Sequence, residues 1–396
     1  MLIDPQDVIA KWSVKELNDA AEDYFKNLEG FAAGYSKPFF GLNHTPQLLT
    51  KLGQLIGGLR MEPGMTVLEF GAGACWLSRH LNQLGLKTIS CDVSPSALAR
   101  GKELFAQYPL IGSLPAEPQF LLFDGHRFDL PAASVDRIIC FDAFHHVPNQ
   151  ETVLREMSRI LKPSGVAGFC EPGKNHSQTQ DSQEEMRKFR VLENDIDIVK
   201  LFGLAEQCGF YDIQLTVMQN MEVRLSDQVE IVSPLWSERL TNLVHGNIRA
   251  TMSNGHIFFL YNGAVLPDSR KAEGLSYKMT SSLISTTVKA GERLVLPIKV
   301  TNTGTARWLS GGTASGSVQI GVSLFDTDGV FHQQDVVRHQ FSRAIEPGET
   351  VVADIVVAPH RLGRLFYRLD MVSEQVCWMG SLGSDQLDIE VTVVAA

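Results

Sequence analysis

Thr66-Val67-Leu68-Glu69-Phe70-Gly71-Ala72-Gly73-Ala74-Cys75-Trp76 is the stretch on which the reading of this chain turns. A short apolar run enters a glycine turn, and a helical pattern (Leu77, His80, Leu81, Leu84) follows at once. Strand, glycine turn and helix form the nucleotide cradle of an open α/β sheet. Gly71 and Gly73 allow backbone angles and close approaches that a side chain would block. The next apolar run, Lys87 to Val93, carries Asp92 about 20 residues past the glycines, where an acid can hold a ribose diol. The pattern predicts an adenosine-containing cofactor at the first crevice of the sheet.

The details narrow the choice. A dinucleotide calls for G-x-G-x-x-G/A, so that a pyrophosphate can rest on the helix N-terminus, and the sixth position here is the bulky Trp76. Glu69 would repel a phosphate and would suit a cationic group. No Gly-Lys-Ser/Thr follows, which excludes a P-loop. An acid-x-Gly-x-Gly turn with an acid at the next strand end resembles the class I S-adenosylmethionine-dependent methyltransferases of the type 11 kind. The likeness runs on through Phe123-Asp124-Gly125, the stretch from Asp136 to His145-His146-Val147-Pro148, and Leu154 to Leu161-Lys162-Pro163-Ser164-Gly165. It covers about residues 45–264. The family usually has a third glycine or small residue where Cys75 stands, so the loop is expected to sit differently against the methionine part.

The resemblance implies a Rossmann-like α/β sheet with helices on both faces, and S-adenosyl-L-methionine as cofactor. It assigns Glu69 to the methionine amino group and the Gly71 and Gly73 backbone to close contact with the ligand. Asp92 would accept from both ribose hydroxyls, and Val93 would lie on the adenine. Asp124 would accept from the adenine amino group, with the Gly125 backbone nearby, and Phe141 would line the pocket. An N-terminal segment often covers the cofactor in this family, which makes Tyr24, Tyr35 and Lys37 candidates. An ordinary amphipathic helix on the core is the competing reading of that segment.

Methyl transfer from a sulfonium is an in-line displacement, so the protein must align donor and acceptor and exclude water. A hydroxyl acceptor also needs a base. His145 and His146 follow the fourth strand, at the crevice where ligands bind, and imidazole suits proton uptake near neutral pH. Packing of the turn is their alternative role. Glu171, at the end of the fifth strand, and His176 are rival bases. Asp142, Glu171 and His176 show no spacing that demands a metal, and none is expected. Arg187, Arg190, Glu193, Asn194 and Asp195 read as a solvated helix face, with the binding of sugar hydroxyls as the alternative.

With 396 residues the chain is too long for one ordinary core. The apolar runs predict strands at 66–71, 87–92, 119–124, 135–141 and 165–171, helices at 46–60, 74–84, 95–107 and 149–162, then a helix near 196–208 and a strand near 212–218. His256 to Tyr261 reads as a last, antiparallel strand. Three regions are expected. Residues 1–45 form a helical cap, with an aromatic, glycine-rich loop from Phe31 to Phe40. Residues 46–266 form the methyltransferase domain, with a lid-like insertion at 174–195, and residues 267–396 form a β-sandwich. In the last region helical periodicity vanishes and apolar runs recur at 294–301, 317–325, 350–358, 365–372 and 386–394, separated by turn residues. Val300 to Trp308 and Glu346 to Thr350 resemble bacterial immunoglobulin-like modules found beside enzymes of cell-surface polysaccharide synthesis.

A net charge of −10 argues against nonspecific nucleic-acid binding. The six cysteines are scattered without metal spacing, which points to buried thiols in a reducing compartment. No basic segment precedes an apolar core at the N-terminus and no run is long enough to span a membrane, so a cytoplasmic location is expected. The neighbourhood of the second resemblance suggests a sugar or surface-glycan hydroxyl as acceptor. A lipid, quinone or other small molecule is the alternative, as is a glycan-binding or assembly protein that holds the cofactor without turnover. The β-sandwich offers a surface for homo-oligomer formation or assembly.

Overall fold

The computed structural model describes residues 2–28, 35–107, 117–216, 238–264, 267–311 and 315–396. The chain divides into two compact units, Met1–Val265 and Leu266–Ala396. The first holds helices α1 (Pro5–Lys11), α2 (Val14–Asn27) and α3 (Thr45–Leu59), then β1 (Thr66–Phe70), α4 (Trp76–Gln83), β2 (Lys87–Asp92), α5 (Pro95–Gln107), β3 (Gln119–Leu122), β4 (Val135–Phe141), α6 (Gln150–Ile160) and β5 (Leu161–Pro172). It continues with α7 (Gln180–Phe189), α8 (Ile198–Gln207), β6 (Asp212–Thr216), α9 (Glu238–Asn254) and β7 (Gly255–Asn262). Residues 31–34 of the expected aromatic loop, and 217–218 of the expected strand near 212–218, lie outside the described residues.

One seven-stranded sheet runs through the unit in the order β3-β2-β1-β4-β5-β7-β6. The strands from β1 to β5 are parallel, and β7 is antiparallel to both β5 and β6. This is the expected Rossmann-like sheet, with one antiparallel strand near its end. The strands alternate between two buried faces, as a sheet covered on both sides must. Leu68, Ile138, Cys140 and Phe169 face a core closed by α6 and α8 through Leu154, Met157 and Leu201. Their neighbours Val67, Ile139, Phe141 and Cys170 face a second core, closed by α3 and α4 through Leu55, Leu59, Leu77 and Leu81. The order reverses at β1, between β2 and β4, which opens a crevice at the strand C-termini.

Helix α2 crosses that crevice, and its placement is written in its polar residues. Ser13 and Glu16 form a capping box at its start. Asn18 Nδ2 donates to the Asp124 carbonyl at 3.1 Å. Near the other end Glu22 accepts from Ser94 Oγ (2.6 Å), Ser96 N (3.0 Å) and Ser96 Oγ (2.7 Å), just after β2. Burial pushes the Glu22 carboxyl up, but these serine bonds together with Lys26 outweigh it and bring the pKa to about 2.

The second unit has a three-stranded sheet, β13-β10-β8, and a larger one, β12-β11-β14-β16-β9, to which β15 adds beside β14. The strands are β8 (Tyr277–Ser281), β9 (Ser285–Lys289), β10 (Leu294–Asn302), β11 (Val318–Asp326), β12 (Phe331–Gln340), β13 (Thr350–Val357), β14 (Gly363–Ser373), β15 (Cys377–Trp378) and β16 (Leu387–Val394). All the pairs are antiparallel except β16 with β9. The inward residues of both sheets, such as Ile298 and Ile355 from one and Val322, Leu369 and Val391 from the other, share one core around Trp308. That core makes the unit a two-layer sandwich. Among the described residues no helix is long and apolar enough to cross a membrane.

Trp308 has no exposed surface. Trp308→Ala should destabilise the second unit by ~3–5 kcal/mol, read as a lowered urea midpoint. An unchanged midpoint would mean that Trp308 does not organise this core.

Candidate functional site

The crevice under α2 is a cavity of about 580 Å³, within the range of about 300–1,000 Å³ common for small-molecule sites. Its two ends differ. At one lie Gly71, Gly73, Asp92, Val93 and Gly125, and at the other lie Asp142, His145, His146, His176 and Glu193. Val14, Leu17, Tyr24 and Phe25 of α2 form a wall between them.

At the first end the chain turns sharply after β1. Gly71 has φ +68 and Gly73 φ +50, in the left-handed region. A Cβ on Gly71 would stand 2.3 Å from the Ala143 Cβ, so this glycine also lets the turn after β4 come close. Cys75, at φ +59, takes the left-handed position where the family has a small residue, and its sulfur packs under Gly101 of α5. Asp92 Oδ2 accepts from Gly73 N at 2.8 Å and Oδ1 from Ser94 N at 2.9 Å, which ties the glycine turn to the β2 end. Burial raises the Asp92 pKa above the usual aspartate value, and the N–H groups of Ser94, Gly73 and Val93 counter only part of the rise.

Three residues expected at this end do not line the cavity. Glu69 is buried and turned to the start of α4, where it accepts from Ser78 N at 2.8 Å and makes a short bond with Ser78 Oγ. It thus satisfies an open N–H of a helix whose own N-cap, Cys75, makes no side-chain bond. Asp124 caps its own turn, with Oδ1 accepting from His126 N (2.7 Å) and Arg127 N (2.8 Å). Phe141 faces the opposite side of the sheet, edge-on to Trp76 at 5.8 Å. Its neighbour Cys140 points the other way, as the two-residue period of a strand requires. Tyr24 does lie on the cavity wall and packs edge-on against Phe25 and Phe189. Lys37 stands over the Trp76 ring and Tyr35 Oη donates to the Arg100 carbonyl, both outside the wall.

At the second end Glu171 is the organising group. Buried at 2% exposure, it does not line the cavity. Its oxygens accept from the N–H groups of Ala143 (3.1 Å), Phe144 (2.8 Å) and His145 (3.2 Å) and from His145 Nδ1 (2.7 Å). Burial pushes Glu171 up, yet the His145 hydrogen bond and charge, with the backbone donors, hold it below the usual glutamate range. Burial likewise works to lower His145, but the Glu171 bond and the surrounding carboxylates raise it above the ordinary histidine value. The two form a buried ion pair.

His146 differs. Its Nδ1 stands 2.6 Å from the Leu192 carbonyl, which can only accept, so Nδ1 carries the proton and Nε2 keeps a lone pair. Its side chain keeps 37% of its surface accessible. Burial of the rest of the ring, with the neighbouring His145 charge, lowers its pKa below the ordinary histidine value. His176 Nε2 lies 2.8 Å from Glu193 Oε2. Glu193 was assigned to a solvated helix face by its sequence neighbourhood. The structure places it instead in the segment after α7, 6% exposed, among all three histidines. Asp142, at φ +49, and Lys51 are further polar residues on the wall. The insertion at 174–195 therefore supplies one side of the cavity, through His176, Glu185, Val191, Leu192 and Glu193.

Residues 68–169 match the family described as a methyltransferase domain. The first unit thus carries a stretch similar to methyltransferase domains, running from β1 to β5. Among curated proteins the chain is similar to squalene methyltransferase 2 of Botryococcus braunii, with 25% identity over 194 residues, 48% of this chain and 50% of that one. It is similar to a demethylmenaquinone methyltransferase of a Parafrankia species, with 28% identity, over 28% of this chain and 48% of that one. The chain spans half or less of the length of these relatives. Among solved structures it resembles phosphoethanolamine N-methyltransferase 2 of Haemonchus contortus in complex with S-adenosyl-L-methionine, at 16% identity and a TM-score of 0.43, over 63% of this chain and 59% of that one.

The Glu69 carboxyl is pushed up to about 8, first by burial, with the Asp92 charge adding to it and the Ser78 bonds opposing it. In the unfolded chain a glutamate titrates near ~4.3. Between these values the folded state holds a proton that the unfolded state has lost, so stability falls as pH rises from about 4.3 to about 8. Glu69→Gln removes that proton. Its urea midpoint should decline less than the wild type's between pH 5 and pH 8. Parallel declines would contradict a protonated Glu69.

Proposed function

We propose that this chain transfers the methyl group of S-adenosylmethionine to a small-molecule acceptor held at the histidine-lined end of the cavity. The observation that carries this reading is the arrangement of one cavity with the Asp92 carboxylate and the glycine turn at one end and His146 at the other. Adenosine over β1 and β2, with its ribose on Asp92, directs the methionine part toward the β4 and β5 ends. There the sulfonium methyl meets an acceptor, with α2 across the crevice to exclude water.

The chemistry asks little of the protein beyond alignment. The acceptor's lone pair forms the new bond to the methyl carbon while the S–CH₃ pair returns to sulfur, leaving S-adenosylhomocysteine. For a hydroxyl acceptor, His146 Nε2 takes the proton, because its Nδ1–H is fixed on Leu192. Glu171 is a positioning residue in this scheme. It holds the turn that carries both histidines and touches neither donor nor acceptor.

The acceptor is a small and largely apolar molecule with a polar reacting end. The wall of Val14, Leu17, Phe25, Val191 and Leu192 supports this, as do relatives whose names refer to squalene and demethylmenaquinone. The relatives give no support to a sugar or surface-glycan acceptor. We read the second unit as a binding or assembly module of the immunoglobulin-like kind, which its two-sheet core supports.

Calorimetry tests the donor. S-adenosylhomocysteine should bind, NAD should not bind comparably, and Asp92→Ala should weaken the first by roughly 1.5–3 kcal/mol, since a charged acceptor of hydroxyl hydrogen bonds is lost. Tight NAD binding with no response to the adenosyl ligand would overturn the donor. With a hydroxyl acceptor from a mass-spectrometric screen, His146→Ala should bind S-adenosylhomocysteine normally and turn over ~10²–10⁴ more slowly. Full turnover would remove His146 as the base.

A further inference from the structure

His145, His176 and Glu193 each present one ligand atom to a common point on the cavity wall, all within 4.8 Å of one another. His176 Nε2 lies 2.8 Å and His145 Nε2 3.8 Å from the same oxygen, Glu193 Oε2. Around a bound transition ion, bond lengths of about 2 Å leave neighbouring ligand atoms roughly 3 Å apart. The three atoms therefore need to shift by less than an ångström or so to share one. We propose that these side chains form a His₂Glu site for a divalent transition-metal ion of the zinc, iron or manganese kind, at the acceptor end of the cavity.

The groups behind the ligands are arranged as such a site requires. Metal-binding histidines commonly give their other N–H to a carboxylate, which fixes the tautomer and the ring. His145 Nδ1 does so to Glu171 at 2.7 Å, and Nε2, directed to the cluster, would give up to solvent the proton it carries in that ion pair when an ion binds. The other oxygen of Glu193, Oε1, stands 3.4 Å from His146 Nδ1, so Oε2 is the one turned to His145 and His176. Ser182 Oγ, 3.3 Å from His176 Nε2, is the one protein group competing for that nitrogen among the hydrogen bonds of the described residues, apart from Glu193 itself. Two imidazoles with one carboxylate suit zinc, iron or manganese and disfavour magnesium and calcium, which take oxygen donors. Three protein ligands leave a coordination position open, as in catalytic sites, and here it faces the cavity.

Metal binding stands on this cluster alone, but the ion's role rests on the methyl-transfer reading. It would draw an oxygen of the acceptor to the open position and ease loss of its proton to His146 Nε2. The oxygen lone pair then takes the methyl group, and the S–CH₃ electron pair stays on sulfur. This narrows the acceptor to a molecule with a hydroxyl, phenol or enol oxygen at its reacting end. Glu193 is not among the candidate bases that the sequence offers, and no residue spacing calls for a metal. Its partners stand 17 and 48 residues away along the chain, and only the return of the 174–195 segment over β4 brings them together.

The 396-residue chain, stripped with a chelator and titrated with Zn²⁺ by equilibrium dialysis, should bind one ion per chain. Glu193→Gln and His176→Ala should each weaken that binding by at least about 100-fold while S-adenosylhomocysteine binding persists. If Ala at position 176 unfolds the chain, His176→Gln keeps a hydrogen bond to Glu193 without an imidazole and carries the same expectation. On the wild type, zinc K-edge absorption should show two imidazoles and no sulfur. No saturable Zn²⁺ binding, unchanged affinity in the variants, or sulfur ligation would overturn the site. Zinc binding without S-adenosylhomocysteine binding would sink the methyl-donor reading and leave the metal site standing, and the reverse result would do the opposite.

Discussion

The carboxylate of Glu171 lies buried at the end of β5 with three successive backbone N–H groups and one imidazole directed at it. A charge taken out of water at such depth is tolerable only if it is paired and fully hydrogen-bonded. That requirement dictates the course of the chain after β4. Asp142 must take a left-handed turn, and Ala143, Phe144 and His145 must wind so that their N–H groups converge on one side chain. The same turn brings Ala143 against Gly71, which is why a side chain at Gly71 would not fit. The glycine cradle and the histidine turn, about 70 residues apart in sequence, are in this way two faces of one contact.

Around this anchor the cavity has walls held by separate devices. The glycine turn is tied to the β2 end by Asp92, and α2 is tied to the segment after β2 by Glu22 and to the β3 end by Asn18. On the far side the segment after α7 is held through the Leu192 carbonyl on His146 and by Glu193 among the histidines. Polar contacts tie the covering segments to the sheet, and the apolar contact of Tyr24 on Phe189 joins them to each other.

The sheet was legible because both-face burial leaves long apolar runs and because Gly71, Gly73 and Asp92 mark the reversal of strand order. The site was legible only in part. An acid at a strand end reads the same whether it meets a ligand or a helix. Asp92 reaches the cavity, whereas Glu69, one strand over, is used by Ser78 of α4. Phe141 is taken up by the core under α3 and α4, Cys140 by the opposite core, and β4 reaches the cavity only past its end, at Asp142 and Ala143. Glu193 was hidden by charged neighbours that do face solvent. In the second unit the apolar runs at β10, β11, β13, β14 and β16 stood out, but β8, β9 and β12 did not. Those three lie at sheet edges and are rich in polar residues, such as Gln333 and Arg338 of β12, so no continuous apolar run marks them.

The central claim is that one cavity positions a methyl donor by its ribose and aims its sulfur at the histidine turn. A crystal structure of the chain with S-adenosylhomocysteine tests this most directly. The account predicts the ribose hydroxyls within hydrogen-bonding distance of Asp92 and the sulfur facing His146 and Glu193, beneath α2. A ligand whose adenosine lies against the histidines, or one bound outside this cavity, would contradict it.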